Sequence, residues 1–262
     1  MVGLSGLNKN FCSISLREFS FQPYMQILCY PKPDVKEAEN RLKELQSLNI
    51  SRIEFSGEKE VFGFKVLGKG CVGIVVKAHF DDKLAALKIR RVDANRPDLT
   101  HEAFMLKKAN AYNIGPKLYG YTKNFLLMEF INGQLIVEWV KKLGDKEKER
   151  LKKVLAKILE DCFKLDEIGL DHGELSRAHK HILIKYSDTP VIIDFETASE
   201  KRLPSNLTKI CNFLFFKSEI AFKINEVLKI PLTDLHNALR LYKNNRNREN
   251  FGLILKLCGL KI

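Results

Sequence analysis

The chain lacks several features that mark particular protein classes. No run of 18 apolar residues occurs; the longest candidates, such as FLLMEFI (residues 125–131), are strand-sized and carry a charge, so no membrane-spanning helix is expected. The first residues, MVGLSGLNKNF, show no positive segment followed by a long apolar one, and no secretory signal is expected. Six cysteines (Cys12, Cys29, Cys71, Cys162, Cys211 and Cys258) are scattered without a CxxC pair. That spacing argues against a zinc ribbon or a disulfide framework and favours a reducing interior, with the cytoplasm as the expected compartment. No internal repeat is visible.

What remains is an ordinary globular composition, 45% hydrophobic and 29% charged, in 262 residues. That length can bury one or two substantial cores, as a two-lobed domain or a domain with an extension. The formal charge of +12 is uneven: residues 201–262 hold 12 Lys/Arg against 4 Asp/Glu, an excess of +8. The tip YKNNRNREN (residues 242–250) concentrates basic and amide side chains with little apolar anchor. Such a surface can contact the phosphates of RNA or another polyanion; the plain alternative is a solvated basic face.

Periodicity gives an outline. Residues 1–60 read as an N-terminal extension with strand-like YMQILCY (residues 24–30) and one amphipathic helix over VKEAENRLKELQSL. Asp34 can cap that helix, with Glu37 completing a capping box and Val35, Ala38, Leu42 and Leu45 on one face. Residues 61–133 read as a β-rich lobe, with runs FGFKVLG, GIVVKAHF and LAALKIRR, then a helix over LTHEAFMLKKANA, then PKLYGYT and FLLMEFI. Residues 134–262 read as a mostly helical lobe. It opens with the amphipathic DKEKERLKKVLAKILEDCFKL, whose stripe is Leu151, Val154, Leu155, Ile158, Leu159, Cys162 and Phe163. A hairpin of HILIKY and PVIIDF follows, and everything after Pro204 looks helical. The fold class expected is α+β.

The motifs fall into this outline in order. LGKGCVGIVVKA sets Gly68, Gly70 and Gly73 in G-x-G-x-x-G-x-V spacing. A dinucleotide loop would lie between a strand and a helix, whereas here Ile74 to Lys77 continues as β-type sequence. Glycines joining two antiparallel strands can bring backbone N–H groups onto phosphates; a bare glycine-rich hairpin is the alternative. Lys88 sits amid the apolar residues of LAALKI and needs a carboxylate partner if buried. Glu102 is the first candidate, with Glu54, Glu58 and Glu60 as others.

The stretch DHGELSRAHKHILI (residues 171–184), followed by IIDFETAS, is dense in titratable groups. Phosphoryl transfer needs positioning and charge neutralisation, with oxygen ligands for magnesium and a carboxylate for the incoming hydroxyl. Asp194, ending an apolar strand, suits the metal, and Glu174 can accept the hydroxyl proton. His172 suits a bracing role, and Arg177, Lys180 and Lys88 can neutralise a triphosphate.

The ordered set GKGCVGIV, AALK, a helix glutamate, LLMEFINGQ, HGELSRAHKHILI and IIDFE resembles the bilobal protein-kinase-like fold, from about residue 62 onward. HG before the acidic residue resembles the atypical branches: RIO-type kinases, the small kinase of the KEOPS complex, and aminoglycoside, choline and lipopolysaccharide kinases. The family it most resembles is one of predicted archaeal serine/threonine protein kinases. The resemblance implies an ATP- and Mg2+-dependent phosphotransferase (Mn2+ being an alternative ion) acting on a hydroxyl of a protein or small molecule. It implies a nucleotide set of Gly68, Lys69, Gly70, Cys71, Gly73, Val75, Ala86, Lys88 and Glu102. Met128 falls at the gatekeeper position, the backbone of Glu129 and Ile131 at the adenine edge, and Asn132-Gly133 ends the linker. Glu174, Lys88 and His172 occupy the catalytic positions, and Asp194 with His181 or His179 the metal positions.

The departures from that pattern are three. Glu174 replaces the family's aspartate, His179 (or His181, if two residues are inserted) replaces its asparagine ligand, and Glu196 replaces the glycine of DFG. An imidazole suits zinc, manganese or iron better than magnesium, and His179 with His181 and Asp194 or Glu196 could form a transition-metal set. Only about a dozen residues separate Asp194 from the next helical pattern, with no APE. This favours a small molecule, a folded partner or autophosphorylation over an extended peptide. Two function classes stay open: a working phosphotransferase, and a nucleotide-binding pseudokinase or ATPase switch that serves as a scaffold in a protein or RNA–protein complex.

Overall fold

A computed structural model describes residues 12–20, 23–81, 83–144 and 146–260. The chain is α+β and divides into two compact units, Met1–Phe104 with Lys117–Phe130, and Met105–Pro116 with Ile131–Ile262.

The first unit holds β1 (Cys12–Ser15), α1 (Met25–Leu28), α2 (Val35–Ser47), β2 (Ile50–Phe55), β3 (Lys59–Val61), β4 (Phe64–Val66), β5 (Gly68–Lys69), β6 (Gly73–Phe80) and β7 (Lys83–Arg90). The first turns of α3 (Thr100–Asn110) follow, then β8 (Leu118–Tyr121) and β9 (Phe125–Glu129). Six strands run in the antiparallel order β1-β2-β6-β7-β9-β8, with β5 joined to β6, while β3 and β4 form a separate hairpin. Alternation along β6 and β7 divides the sheet into two faces. Ile74, Val76, Ala78, Leu87 and Ile89 join Phe125 and Leu127 in one core with Phe19, Ile27, Leu28, Ala38 and Leu45. Each Val, Leu, Ile or Phe among them stabilises by about 1.5–3 kcal/mol when buried, and Phe19, Ile27, Leu28, Ala38 and Leu45 belong to the layer that backs the sheet. Glu44 of α2 ties that layer to the β8–β9 turn, accepting from the Thr122 hydroxyl (2.6 Å) and the Asn124 amide nitrogen (3.0 Å).

Cross-strand partners place the other face. Val75 lies opposite Lys88, Lys77 opposite Ala86, Lys88 opposite Leu126, and Ala86 opposite Met128. Val75, Ala86, Lys88, Leu126 and Met128 therefore share one side, away from the backing layer.

The second unit holds the end of α3, then β10 (Gly133–Leu135), α4 (Ile136–Lys142), α5 (Lys148–Glu167), a 3-10 helix (Leu175–Lys180), β11 (Ile182–Lys185) and β12 (Pro190–Ile192). Helices α6 (Asn206–Cys211), α7 (Ala221–Leu228), α8 (Leu232–Asn244) and α9 (Arg248–Leu257) complete it, with a π-helical turn (Asn212–Lys217) after α6. The apolar stripe of α5 is buried along its length, and the expected hairpin exists with a third strand, β10, added to it. Gly133 makes that pairing possible: a Cβ there would lie 2.3 Å from the Ile184 carbonyl oxygen.

Four local expectations are corrected. YMQILCY contains the one-turn helix α1 and not a strand. Asp34 does cap α2, accepting from the Glu37 amide at 2.7 Å, but the Glu37 carboxylate turns to Arg41 Nε (2.8 Å), a residue with no exposed surface. Val35 is exposed and not part of the apolar face. The basic tip at residues 242–250 is well anchored: Tyr242 is buried with its hydroxyl on Asp166 (3.0 Å), Arg248 pairs with Glu160, and Asn247 caps α9.

Candidate active site

In the first unit the glycine turn is closed by the Gly70 amide donating to the Gly73 carbonyl (2.9 Å). Arg91 donates to the Gly70 carbonyl (3.0 Å), and its guanidinium lies over the Tyr30 ring, as does the Lys69 ammonium. The glycines serve different needs. A Cβ on Gly73 would meet the Ile89 carbonyl oxygen at 2.8 Å and the Lys88 stem at 3.1 Å, so the fold itself requires Gly73. A Cβ on Gly68 or Gly70 would meet nothing closer than 3.6 Å, so those two leave a bare backbone without being needed for packing. Cys71 is exposed on the same turn.

Lys88 is 6% exposed, and its ammonium donates to both oxygens of Glu102, at 2.7 and 3.0 Å. The other carboxylates are engaged elsewhere or lie at the surface: Glu54 pairs with Lys77, Glu60 with Lys65, and Glu58 is exposed. Glu102 is aimed from the first turn of α3, whose amide at Thr100 is capped by Asp98 (2.9 Å). Val75, Ala86 and Met128 lie on the Lys88 side of the sheet. The Glu129 amide donates to the Lys117 carbonyl (2.8 Å). Ile131 begins the second-unit segment and is buried.

In the second unit, residues 171–181 are fixed from several sides. Asp171 bridges to Ser199, and its carboxylate takes Lys209 (2.9 Å) and Arg202 (2.9 Å). Burial pushes that carboxyl up, but the hydrogen bonds from Lys209 and Arg202 outweigh it and hold it below the usual range. His172 has no exposed surface. Its Nε2–H donates to the Ile193 carbonyl (3.1 Å), its Nδ1 accepts from the Glu174 amide (3.4 Å), and its own amide donates to Asn206 Oδ1 (2.8 Å). Burial, with the neighbouring His181 second, pushes the ring down to about 4, so it is neutral at pH 7 and braces the loop. Gly173 has φ +92°, and a Cβ there would lie 2.7 Å from both Arg202 Nη2 and Thr197 Oγ1.

Glu174 immediately precedes the 3-10 turn and receives Arg177 Nη2 on Oε1 (2.9 Å) and His181 Nε2 near Oε2 (3.0 Å). Arg177 itself, at φ −116° and ψ 40°, interrupts the helix ahead of both candidate histidines. His181 is 5% exposed, with Nδ1 3.7 Å from Asp194 Oδ2. Burial lowers its pKa, with Asp194 and Glu174 acting against that. His179 stacks against Phe213. Asp194 has φ +70°, a left-handed backbone for a non-glycine residue. Glu174, His181 and Asp194 each offer a ligand atom, all within 4.8 Å of one another. His179 is not among them, and Lys180 is exposed. Beside Glu174 an open cavity is walled by Asp171, Gly173, Thr197, Arg202, Leu203 and Lys209.

Sequence reasoning missed the supports. Asn206 donates to Asp166 Oδ1 from both its amides (2.8 Å each) and to the Leu170 carbonyl (2.8 Å). Asp166, an acid on the buried side of α5, and the Asp171 preceding HG were the available signals.

The arrangement has relatives. An uncharacterised protein of Methanocaldococcus jannaschii is 39% identical over 108 residues, 41% of this chain and 89% of that protein. Residues 76–211, more than half of the chain and the span from β6 through α6, match the RIO domain, and the chain belongs to that family of atypical, kinase-like phosphotransferases.

Proposed function

We propose that this protein is an ATP-dependent phosphotransferase of the atypical serine/threonine kinase type, passing the γ-phosphate to a hydroxyl of a protein or small molecule. The observation that carries the reading is the buried, doubly hydrogen-bonded Lys88–Glu102 pair beside the glycine turn, in a chain of the RIO family. Glu102 fixes the ammonium so that its charge can be offered to the α- and β-phosphates without reorganisation. The turn from Gly68 to Cys71, closed by the Gly70 amide on the Gly73 carbonyl, brings bare backbone to the phosphates, while Val75, Ala86 and Met128 give an apolar bed for adenine with Glu129 at its edge.

In the second unit, Asp194 and His181 are the residues that would hold a divalent cation, and the bare Nδ1 of His181 fits such an ion. Such an ion, when bound, would supply charge neutralisation for the transferred phosphate. Glu174 Oε1 accepts the proton of the attacking hydroxyl, and Arg177, largely exposed, leaves that oxygen as the acceptor enters. His172 holds the loop and carries no proton in the reaction. The cavity beside Glu174 gives the acceptor room. Free thiols throughout the described residues suit the cytoplasm.

A second reading, a nucleotide-binding pseudokinase or ATPase switch in a protein or RNA–protein complex, is favoured by one feature: both oxygens of Glu174 are already engaged. Intact-mass spectrometry of the full chain incubated with ATP and Mg2+ or Mn2+ separates the two. The phosphotransferase adds phosphate to itself or releases it, and Lys88→Ala and Asp194→Asn abolish both. ATP binding without either event supports the scaffold.

A further inference from the structure

The ring of His181 presents a problem of its own. It is 5% exposed, and Nδ1 is buried without a hydrogen-bond partner among the described residues. A buried polar atom left this way calls for a partner that the protein alone does not supply. The other nitrogen explains the orientation. Nε2 lies 3.0 Å from Glu174 Oε2, and a carboxylate only accepts, so the proton resides on Nε2 and Nδ1 carries a bare lone pair. That lone pair lies 3.7 Å from Asp194 Oδ2, too far for a hydrogen bond. Two ligands of one ion commonly sit that far apart: with bonds of about 2.0–2.2 Å, the separation subtends roughly 115–135°. Magnesium prefers oxygen ligands, and an imidazole nitrogen is the better donor to a first-row transition cation.

We propose that Glu174 orients His181 as a metal ligand, and that His181 Nδ1 with Asp194 takes a first-row transition cation such as Mn2+ in preference to Mg2+. Carboxylate, imidazole and metal in sequence is how a histidine ligand is held to one tautomer and one ring angle. His179, two residues earlier, is turned against Phe213 and takes no part. The longer side chain at the position of the family's aspartate then has a reason. Glu174 reaches His181 with Oε2 while Oε1 stays on the Arg177 side. The assignment deepens the cation site of the proposed phosphotransferase, but ion binding needs neither nucleotide nor transfer. Its failure would leave transfer open, and failure of transfer would leave it standing.

The test is Mn2+ binding to the full chain without nucleotide, read from the EPR signal of free Mn2+, followed by competition with Mg2+. The expected result is Mn2+ held at least tenfold tighter than Mg2+, with that preference lost in His181→Leu and Asp194→Asn and kept in His179→Leu. Glu174→Gln should retain binding within a few fold, because an amide oxygen still accepts from Nε2–H, whereas Glu174→Leu should lose about 10–100-fold. Equal competition by Mg2+, or unchanged Mn2+ binding in His181→Leu, overturns the proposal. A Glu174→Gln loss as large as that of Asp194→Asn overturns the orienting role. Should the variants fail to fold, pulsed EPR of the Mn2+-loaded wild type decides: coupling to an imidazole nitrogen is expected, and its absence overturns the assignment.

Discussion

Removing one member of the Lys88–Glu102 pair should be among the most damaging conservative changes in the first unit. The two side chains are 7% and 5% exposed and their closest contact is 2.7 Å. Lys88→Met keeps the stem under Gly73 but removes the ammonium paired with the Glu102 carboxylate in a nearly dry setting, at a cost of about 3–5 kcal/mol. Glu102→Leu removes the carboxylate that takes two hydrogen bonds from the ammonium, at a similar cost. The double variant removes both charges and should cost no more than the milder single one, since an apolar pair of like volume often replaces a buried ion pair without loss. Urea unfolding followed by circular dichroism gives the four corners of the cycle. The pH dependence distinguishes desolvation from lost packing. In Lys88→Met, a buried Glu102 binds a proton more tightly folded than unfolded, so its deficit should shrink as pH falls from 7 towards 5. In Glu102→Leu, a buried Lys88 binds its proton less tightly folded than unfolded, so its deficit should shrink as pH rises towards 9. Single losses below about 1 kcal/mol, with no opposed pH trends, would refute the reasoning.

Other outcomes follow from the glycines and the loop supports. Gly68→Ala and Gly70→Ala should leave the urea midpoint nearly unchanged but weaken binding of a fluorescent ATP analogue; Gly73→Ala, whose Cβ meets the Ile89 carbonyl, should lower the midpoint itself. Gly173→Ala should cost about 1–3 kcal/mol through backbone strain and its clash with Thr197 and Arg202. Gly63→Ala, with positive φ but open space, should cost less, and the same denaturation series compares them. Because Asp171 is held below its ordinary value, its contribution is present above about pH 4 and lost as pH falls through the folded value. Replacing Arg202 and Lys209 by Ala together leaves burial to raise the carboxyl, so in a pH series of thermal melts that acid loss should vanish and the variant's deficit should shrink as pH falls. Asn206→Ala removes the acceptor for the His172 amide and the side-chain amide that donates to Asp166 and to the Leu170 carbonyl, and should both destabilise and slow any phosphate transfer.

Much of this was legible because short-range periodicity encodes it. The stripe of α5 and the alternation of β6 and β7 announce buried faces, and Lys88 stands out as a charge inside such a run. YMQILCY was illegible because a seven-residue run, apolar except for Gln26, fits a strand or a single helical turn equally well. The place of β1 in the sheet depends on pairing Cys12 with Phe55, and nothing local specifies that contact. The choice between His179 and His181 turned on where each ring lies, His181 beside Glu174 and Asp194 and His179 against Phe213, which a two-residue ambiguity in sequence cannot resolve. The hold of Asn206 on His172 spans 34 residues and lies outside any motif.

The central claim is that this chain moves a phosphate. The most direct measurement is a single-turnover experiment with the full chain in excess over γ-labelled ATP, run with Mn2+ and with Mg2+. Transfer of label to the chain, a hydroxyl acceptor or water is predicted, faster with Mn2+ and absent in Asp194→Asn. ATP that is bound yet recovered intact with either ion after many hours would contradict the phosphotransferase account.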